Sequence, residues 1–303
     1  MMIPTCFSAY QGLIPLLNEV TEWTALRKWA LSEVYRVKLT TGESRIIKWG
    51  GKEMAGEACI YHQLVYPLQI KAPMIFHYVQ LQNSGVMVME DAGDSNLEEQ
   101  PLPAFFLEAA RELASFRRRA AANLEKALPK EIMDSYTVSR HDFLNLLEDL
   151  MKSSKLAGSE CLLELSKLLP HHLDRLDHSV PVTLVHHDYH AKNLLIQNSG
   201  GIMPIDWSIS YLSPHLGDLY CLITEAQALG GLSRTEVIAA YQAEANIEIE
   251  TLNWQVSVGG LCWLIKSLRW LVYGGTEIIP GSEAWIPDLM NDTAHLLAEI
   301  QQK

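Results

Sequence analysis

The chain has 303 residues, enough for one large domain or two modest lobes around a full-sized core, and its 48% apolar and 20% charged residues exclude a disordered or fibrous protein. With 36 acidic against 24 basic side chains the formal charge is −12, which disfavours a nucleic acid or an anionic membrane as partner, because phosphate-bearing surfaces are held by clustered Lys and Arg. The same acidity suits a cationic ligand.

The first twelve residues, "MMIPTCFSAYQG", carry no basic region followed by a long apolar run, so no secretory signal is expected. From residue 23 to 49 the text reads as strands, and "LSEVYRVKLTTGESRIIKW" predicts an opening antiparallel hairpin turning at Thr41, Gly42 and Glu43. "KEMAGEACIYHQLVY" has helical periodicity until Pro67. "VMVME" then reads as a short buried strand, and "DAGDSN" after it is the best linker, giving expected units of 1–90 and 91–303 with a hinge near Glu90 to Asn96.

From Pro103 onward "AFFLEAARELASFRRRAAANLEKAL", "RHDFLNLLEDLMKSS" and "ECLLELSKLLPHHLDRL" predict amphipathic helices. "NLLIQNSGGIMPID" interrupts them with a second hairpin, and the remainder is again helical. The apolar run "VSVGGLCWLIKSLRWLVYGG" is broken by Lys266 and Arg269, so it fits a buried helix better than a membrane span. Five cysteines (Cys6, Cys59, Cys161, Cys221, Cys262), odd in number and without a CxxC pair, predict buried, reduced, cytoplasmic thiols.

Chemistry concentrates in "VHHDYHAKNLLI", residues 185–196, and "PIDWS", residues 204–208. A hairpin that brings Asn193 and Asp206 to one edge makes a site for a hard divalent cation, and Mg²⁺ characteristically takes one or two carboxylates plus substrate phosphates. Asp188 lies on the loop leading into that hairpin, where it can orient a nucleophile. The three histidines invite a zinc reading, but no second Cys or His cluster of structural spacing supports it.

Residues 186–193, "HHDYHAKN", fit the H-x-D-x-x-x-x-N loop of protein kinases and their small-molecule relatives, and His190 after the aspartate resembles the form found in the aminoglycoside phosphotransferase family. "PIDWS" resembles that family's metal-binding segment, and "SPHLGDLYCL" its downstream helix start. The resemblance runs from about residue 31 to 222 and implies a bilobal, protein-kinase-like α+β fold with a small antiparallel-sheet N-lobe and a large helical C-lobe. It implies ATP or GTP with Mg²⁺ as cofactors, Lys48 on the phosphates held by Glu57, backbone near Glu90 and Ala92 against the base, and Asn193 and Asp206 on the metal. Asp188 would accept the hydrogen bond and late proton of a small-molecule hydroxyl, with His186, His190 and Asp218 as supporting residues. Trp207 stands at the place of a packing phenylalanine. The phosphate-covering loop departs from the protein-kinase pattern: "RKWALSEVY" has no glycine, and Ser32 is the hydroxyl there that can donate to a phosphate.

By resemblance an aminoglycoside or other antibiotic is the leading acceptor; kinases for choline, sugars, methylthioribose, fructosamine or homoserine are the alternative. A protein kinase is disfavoured because Asp218 follows Asp206 by only twelve residues, too few for an activation loop. A non-catalytic nucleotide-binding scaffold is favoured only by the missing glycines. Oligomeric state is not legible. The acidic residues of the last third, Glu225 and Asp292 among them, read mostly as solvated helix surface, and the seven-residue spacing of Trp263 and Trp270 as core.

Overall fold

In the computed structural model, which describes residues 3–301, two 3-10 turns, Thr5–Tyr10 and Pro15–Glu19, lead into a five-stranded antiparallel sheet. Its strands are β1 (Val20–Lys28), β2 (Ser32–Leu39), β3 (Ser44–Gly51), β4 (Ile75–Leu81) and β5 (Ser84–Glu90), in spatial order β1-β2-β3-β5-β4. Strict alternation in "SEVYRVKL" buries Tyr35, Val37 and Leu39 on one face of β2, where they meet Phe7, Tyr10, Ile14 and Leu17 of the two turns. The β2–β3 turn runs through Gly42 at φ 86°, a left-handed conformation that glycine adopts without steric penalty.

The sequence reading expects this hairpin to open the protein, but β1 precedes it. The burial of β1 follows no period of two and its pairing with β2 shifts register twice, so the alternation signal is absent. β4 gives no clear signal either. It is an edge strand whose Phe76 and Tyr78 stay exposed, so it lacks an inward apolar face. The helix expected over residues 52–66 is shorter: a turn closed by Met54 N–H on Gly51 O delays it, α1 spans only Glu57–Ile60, and Tyr61–Val65 continues as a wider π-type turn.

After β5 the chain is held to the sheet by charge. Arg36 on β2 donates to both carboxylate oxygens of Asp91, at 2.7 and 2.9 Å, Ser44 donates to the same carboxylate, and Arg36 also reaches Asp94. Burial opposes ionisation of Asp91, but the hydrogen bonds from Arg36 and Ser44 outweigh it and hold the carboxyl below its ordinary range.

The rest is mainly helical: α2 (Pro103–Ala127), α3 (Lys130–Tyr136), α4 (Arg140–Lys152) and α5 (Glu160–Ser179) are followed by two small ladders. In these, β6 (Thr183–Val185) pairs with β9 (Tyr211–Ser213), and β7 (Leu194–Ile196) with β8 (Ile202–Pro204). The chain continues through α6 (Gly217–Gly230), α7 (Arg234–Ala245), α8 (Ile249–Trp270), the short α9 (Thr276–Ile278) and α10 (Ile286–Gln301). α8 is buried without a break from Trp254 to Cys262 and forms the central post of this half. Among the described residues no helix is long and apolar enough to cross a membrane. All five cysteines are free, but only Cys221 and Cys262 are buried; Cys6, Cys59 and Cys161 are half-buried.

α6 and α8 cross in backbone contact. A Cβ on Gly259 would lie 2.5 Å from the Leu216 carbonyl carbon and 2.8 Å from Gly217 N, so only glycine lets α8 pass the start of α6. Gly259→Ala is expected to destabilise the protein by about 1–3 kcal/mol, read in denaturant titration; unchanged stability would show that the crossing has slack. For Asp91 the sign of the pH dependence follows from its lowered folded pKa: its contribution is present above the unfolded value of about 3.9 and is lost as pH falls through the lower folded value. Asp91→Asn is therefore expected to melt below the wild type at pH 7, with the gap closing below about pH 4. A gap independent of pH would contradict the ion-pair assignment.

Candidate active site

The central strand β3 carries Lys48 between Val34 of β2 and Met87 of β5, so its amino group emerges from the interior of the sheet with little access to water. Such a charge must be paired. Its Nζ lies 2.6 Å from Glu57 Oε2, at the first residue of α1, and 2.8 Å from Asp206 Oδ1, just beyond β8. Burial works against the Lys48 charge, but Asp206 and Glu57 outweigh it and raise its pKa. The two carboxylates fare differently. Burial dominates at Glu57 and pushes it up to about 7, whereas at Asp206 the Lys48 charge and the Ser208 hydroxyl overcome burial and bring it down to about 2.

The β7–β8 ladder sets the other edge. Leu194 pairs with Pro204 and Ile196 with Ile202, and Ile205 N–H donates to Asn193 O at 2.9 Å, so Asn193 and Asp206 sit at the same end. Asp206 takes up φ 64°, a left-handed backbone that Asp tolerates better than most residues. Asn193 Nδ2 donates to Asp188 twice, to its carbonyl at 3.0 Å and to Oδ2 at 2.8 Å, which fixes the Asp188 carboxylate from below. Among the described residues no hydrogen bond engages Asn193 Oδ1 or Asp206 Oδ2. An amide oxygen and a carboxylate oxygen with capacity left over suit a hard cation such as Mg²⁺ that draws its other ligands from phosphate and water.

The loop from His186 to His190 is hung from α6. Asp218, in the first turn of that helix, accepts the backbone N–H groups of His186 at 2.7 Å and His187 at 2.8 Å rather than capping its own helix. His186 is fully buried against Trp207, with ring centroids 4.4 Å apart, and its Nε2–H donates to Ile205 O at 3.0 Å. Burial lowers its pKa and keeps it neutral. Trp207 is itself in the core, donating its indole N–H to Pro204 O.

His190 faces the other way. Its Nδ1 meets Glu225 Oε1 at 2.8 Å, its Nε2 lies 3.5 Å from Asp188 Oδ1, and Cys221 Sγ lies 3.3 Å from Nδ1. Burial opposes a charge on the ring, but Cys221, Glu225 and Asp188 outweigh it and raise the pKa well above the ordinary imidazole value. Glu225 also accepts the Ala191 N–H. Sequence reasoning places Glu225 among solvated surface acids; the available signal is its position seven residues after Asp218, two helical turns along the same face. Trp263 is half-buried rather than core. Its indole N–H donates to His187 O at 2.8 Å, and its ring lies 5.9 Å from His190 and 6.1 Å from Tyr220, whose hydroxyl donates to Asp292.

Lys48, Glu57, Asn193 and Asp206 line one cavity of about 540 Å³ between the sheet and the helical half, together with Glu90, Ala92, Arg27, Arg36 and Lys192. Glu90 N–H donates to Met74 O, and Ala92 O accepts from Gln197. Ser32 is buried at the start of β2, opposite Gly50, and is not part of the cavity wall; Leu26, Arg27 and Val34 stand there instead. Ser32 shares the face of β2 that carries Val34, two residues on, but the cavity wall does not extend as far as Ser32.

Comparison with known proteins identifies this arrangement. The phosphotransferase enzyme family model matches residues 27–252, a longer stretch than the motifs alone indicated. No curated protein matches the chain. Among solved structures it is similar to a thermostable mutant of aminoglycoside phosphotransferase APH(4)-Ia in ternary complex with ADP and hygromycin B, with TM-score 0.68, 15% identity and coverage of 96% of this chain and 98% of that one. A choline/ethanolamine kinase family protein from Mesorhizobium loti gives TM-score 0.69 and 16% identity over 95% of this chain and 92% of that one. The GDP complex of wild-type aminoglycoside 2'-phosphotransferase-IIIa gives TM-score 0.61 and 15% identity over 96% of each chain. The fold is thus the bilobal, protein-kinase-like α+β fold. With the family model matched over most of its length, this chain belongs to the phosphotransferase enzyme family, the small-molecule kinases.

Proposed function

We propose that the protein transfers the γ-phosphoryl group of ATP, with Mg²⁺, to a hydroxyl of a small cationic molecule, an aminoglycoside first among candidates. The observation that carries this reading is the convergence of a buried Lys48, its partners Glu57 and Asp206, and Asn193 on one cavity, with Asp188 held beside it by the Asn193 amide. Residues 1–90 act in this reading as the nucleotide lobe and 91–303 as the lobe for metal, acceptor and chemistry. The Glu90 carbonyl and the Ala92 N–H receive the base edge, since the Glu90 N–H and the Ala92 carbonyl already have partners. Lys48 exchanges part of its bonding to Asp206 for the α- and β-phosphates, while Glu57 keeps it in place.

Asn193 Oδ1 and Asp206 hold the metal, which when bound neutralises phosphate charge and aligns the phosphates. Asp188 accepts a hydrogen bond from the acceptor hydroxyl. As the acceptor oxygen forms its bond to phosphorus and the bond to the β-phosphate oxygen breaks, the hydroxyl proton passes to Asp188 and from there to solvent. Asp188 is one-quarter exposed, which gives that proton an exit. Asp218 and Glu225 hold the loop that presents it. Around the half-buried Trp263 stand His190, bonded to Glu225, and Tyr220, bonded to Asp292, and acids grouped about an indole favour an amine-bearing acceptor.

A metabolite kinase is the second reading, favoured by the similarity to the choline/ethanolamine kinase family protein, whose structure matches as well as the aminoglycoside enzymes do. GTP as donor is the variant raised by the GDP-bound neighbour. Measuring ADP or GDP release from both nucleotides against aminoglycosides, amino alcohols, sugars and nucleosides separates these readings.

Asp188→Ala is expected to lower kcat by about 10²–10⁴-fold with little change in nucleotide affinity; turnover near the wild-type level would refute its role. Saturating Mg-ATP, at about 100 times its Kd, is expected to stabilise the wild type by about 2.7 kcal/mol, and Asp206→Ala to abolish that gain. Stabilisation without turnover on any acceptor would favour the scaffold reading, and stabilisation that survives Asp206→Ala would remove Asp206 from the metal site.

A further inference from the structure

The cations lining the cavity differ in how firmly they are engaged. Lys48 has two carboxylates within 2.8 Å, and Arg36 is bonded to Asp91 and Asp94. Lys192, on the 3-10 turn Ala191–Asn193, has one ion-pair contact among the described residues, and it is loose, its Nζ lying 3.6 Å from Asp188 Oδ1. A partly exposed pair at that distance contributes little to stability. Its position is nevertheless specific: Lys192 lines the cavity beside Asn193 and reaches the carboxylate on which an acceptor hydroxyl would rest, so its ammonium lies between the phosphate-binding and acceptor sides.

Something else meets it from the sheet. The turn between β1 and β2 carries Trp29, whose N–H donates to Ser32 O, and the Trp29 ring lies 5.8 Å from Lys192 Nζ and 4.3 Å from the Arg27 guanidinium. This is the turn that lacks glycine, so its backbone cannot wrap phosphates closely. A cation held under an indole on the opposite wall supplies charge there without requiring that approach.

Resting on the nucleotide-binding reading above, we propose that Lys192 is the ligand of the terminal phosphate, placed by the Trp29 ring and replacing in charge what the glycine-free turn does not offer in backbone N–H groups. It would meet the phosphoryl group as it leaves the nucleotide and approaches the hydroxyl on Asp188, where fixed positive charge is most effective. Lys48, kept in place by Glu57, serves the α- and β-phosphates in that reading and leaves the terminal phosphate to another cation.

The test compares ADP with AMP-PNP, which differ by the terminal phosphate, by calorimetric titration of the full chain in Mg²⁺. Lys192→Met is expected to weaken AMP-PNP about tenfold, the equivalent of one charge-assisted hydrogen bond, and to leave ADP affinity and the melting temperature of the free protein unchanged. Lys192→Arg is expected to retain most of the AMP-PNP affinity. Equal weakening of both nucleotides, or of neither, would overturn the assignment while leaving the phosphotransferase reading intact. If the wild type bound neither nucleotide, that earlier reading would fall and this one with it.

Discussion

A lysine ammonium enclosed by a sheet, a short helix and a loop from the helical half can keep its charge only if carboxylates reach it. In this protein Lys48 is met by Glu57 from its own half and by Asp206 from the other, and the two halves of the molecule are joined at that point. Removing one partner of a buried pair leaves an uncompensated charge, typically worth several kcal/mol of destabilisation, so all three residues are held in mutual dependence. The arrangement also explains the division of labour between the carboxylates. Burial raises the pKa of Glu57 against the pull of Lys48, whereas at Asp206 Lys48 and the Ser208 hydroxyl overcome burial and lower it. A charged Asp206 is what a hard-cation site requires.

The second constraint is the suspension of the 186–193 loop. Asp218 grips its backbone at one end and Glu225 grips Ala191 and His190 at the other, both from the same face of α6. That face is in turn set by the close crossing of α8 at Gly259. Position is therefore passed from a buried helix post, through one helix, to a single carboxylate. The histidines take different parts in this: His186 is neutral packing against Trp207, and His190 is a charged ring between two acids.

Much of this is legible in the residues because the local signals are strong. The β2–β3 hairpin has clean alternation and a glycine turn, α2, α4 and α5 have apolar stripes at helical period, and the spacing of Asp188, Asn193 and Asp206 around "NLLIQNSGGIMPID" brings the three to one edge once that hairpin closes. What the residues do not reveal is of other kinds. β1 and β4 are strands by pairing rather than by alternation, since one is irregular and the other an edge. Glu225 and the pairing of Lys192 with Trp29 gain their meaning from contacts across long stretches of chain, which periodicity does not encode.

The ladder that carries Asn193 and Asp206 has only three residue pairs, and its turn lies at the end away from them, closed by Gln197 N–H on Gly201 O with Gly200 at φ 81°. The spatial separation of the two residues is set by the paired end, not by the number of residues between them. Length at the tip, residues 198–200, is thus decoupled from the separation of the two oxygen donors, whereas Gln197 at its base is tied to the cleft through the Ala92 carbonyl. Insertion at that tip alters the outline of the protein while leaving the paired end that carries Asn193 and Asp206 unchanged.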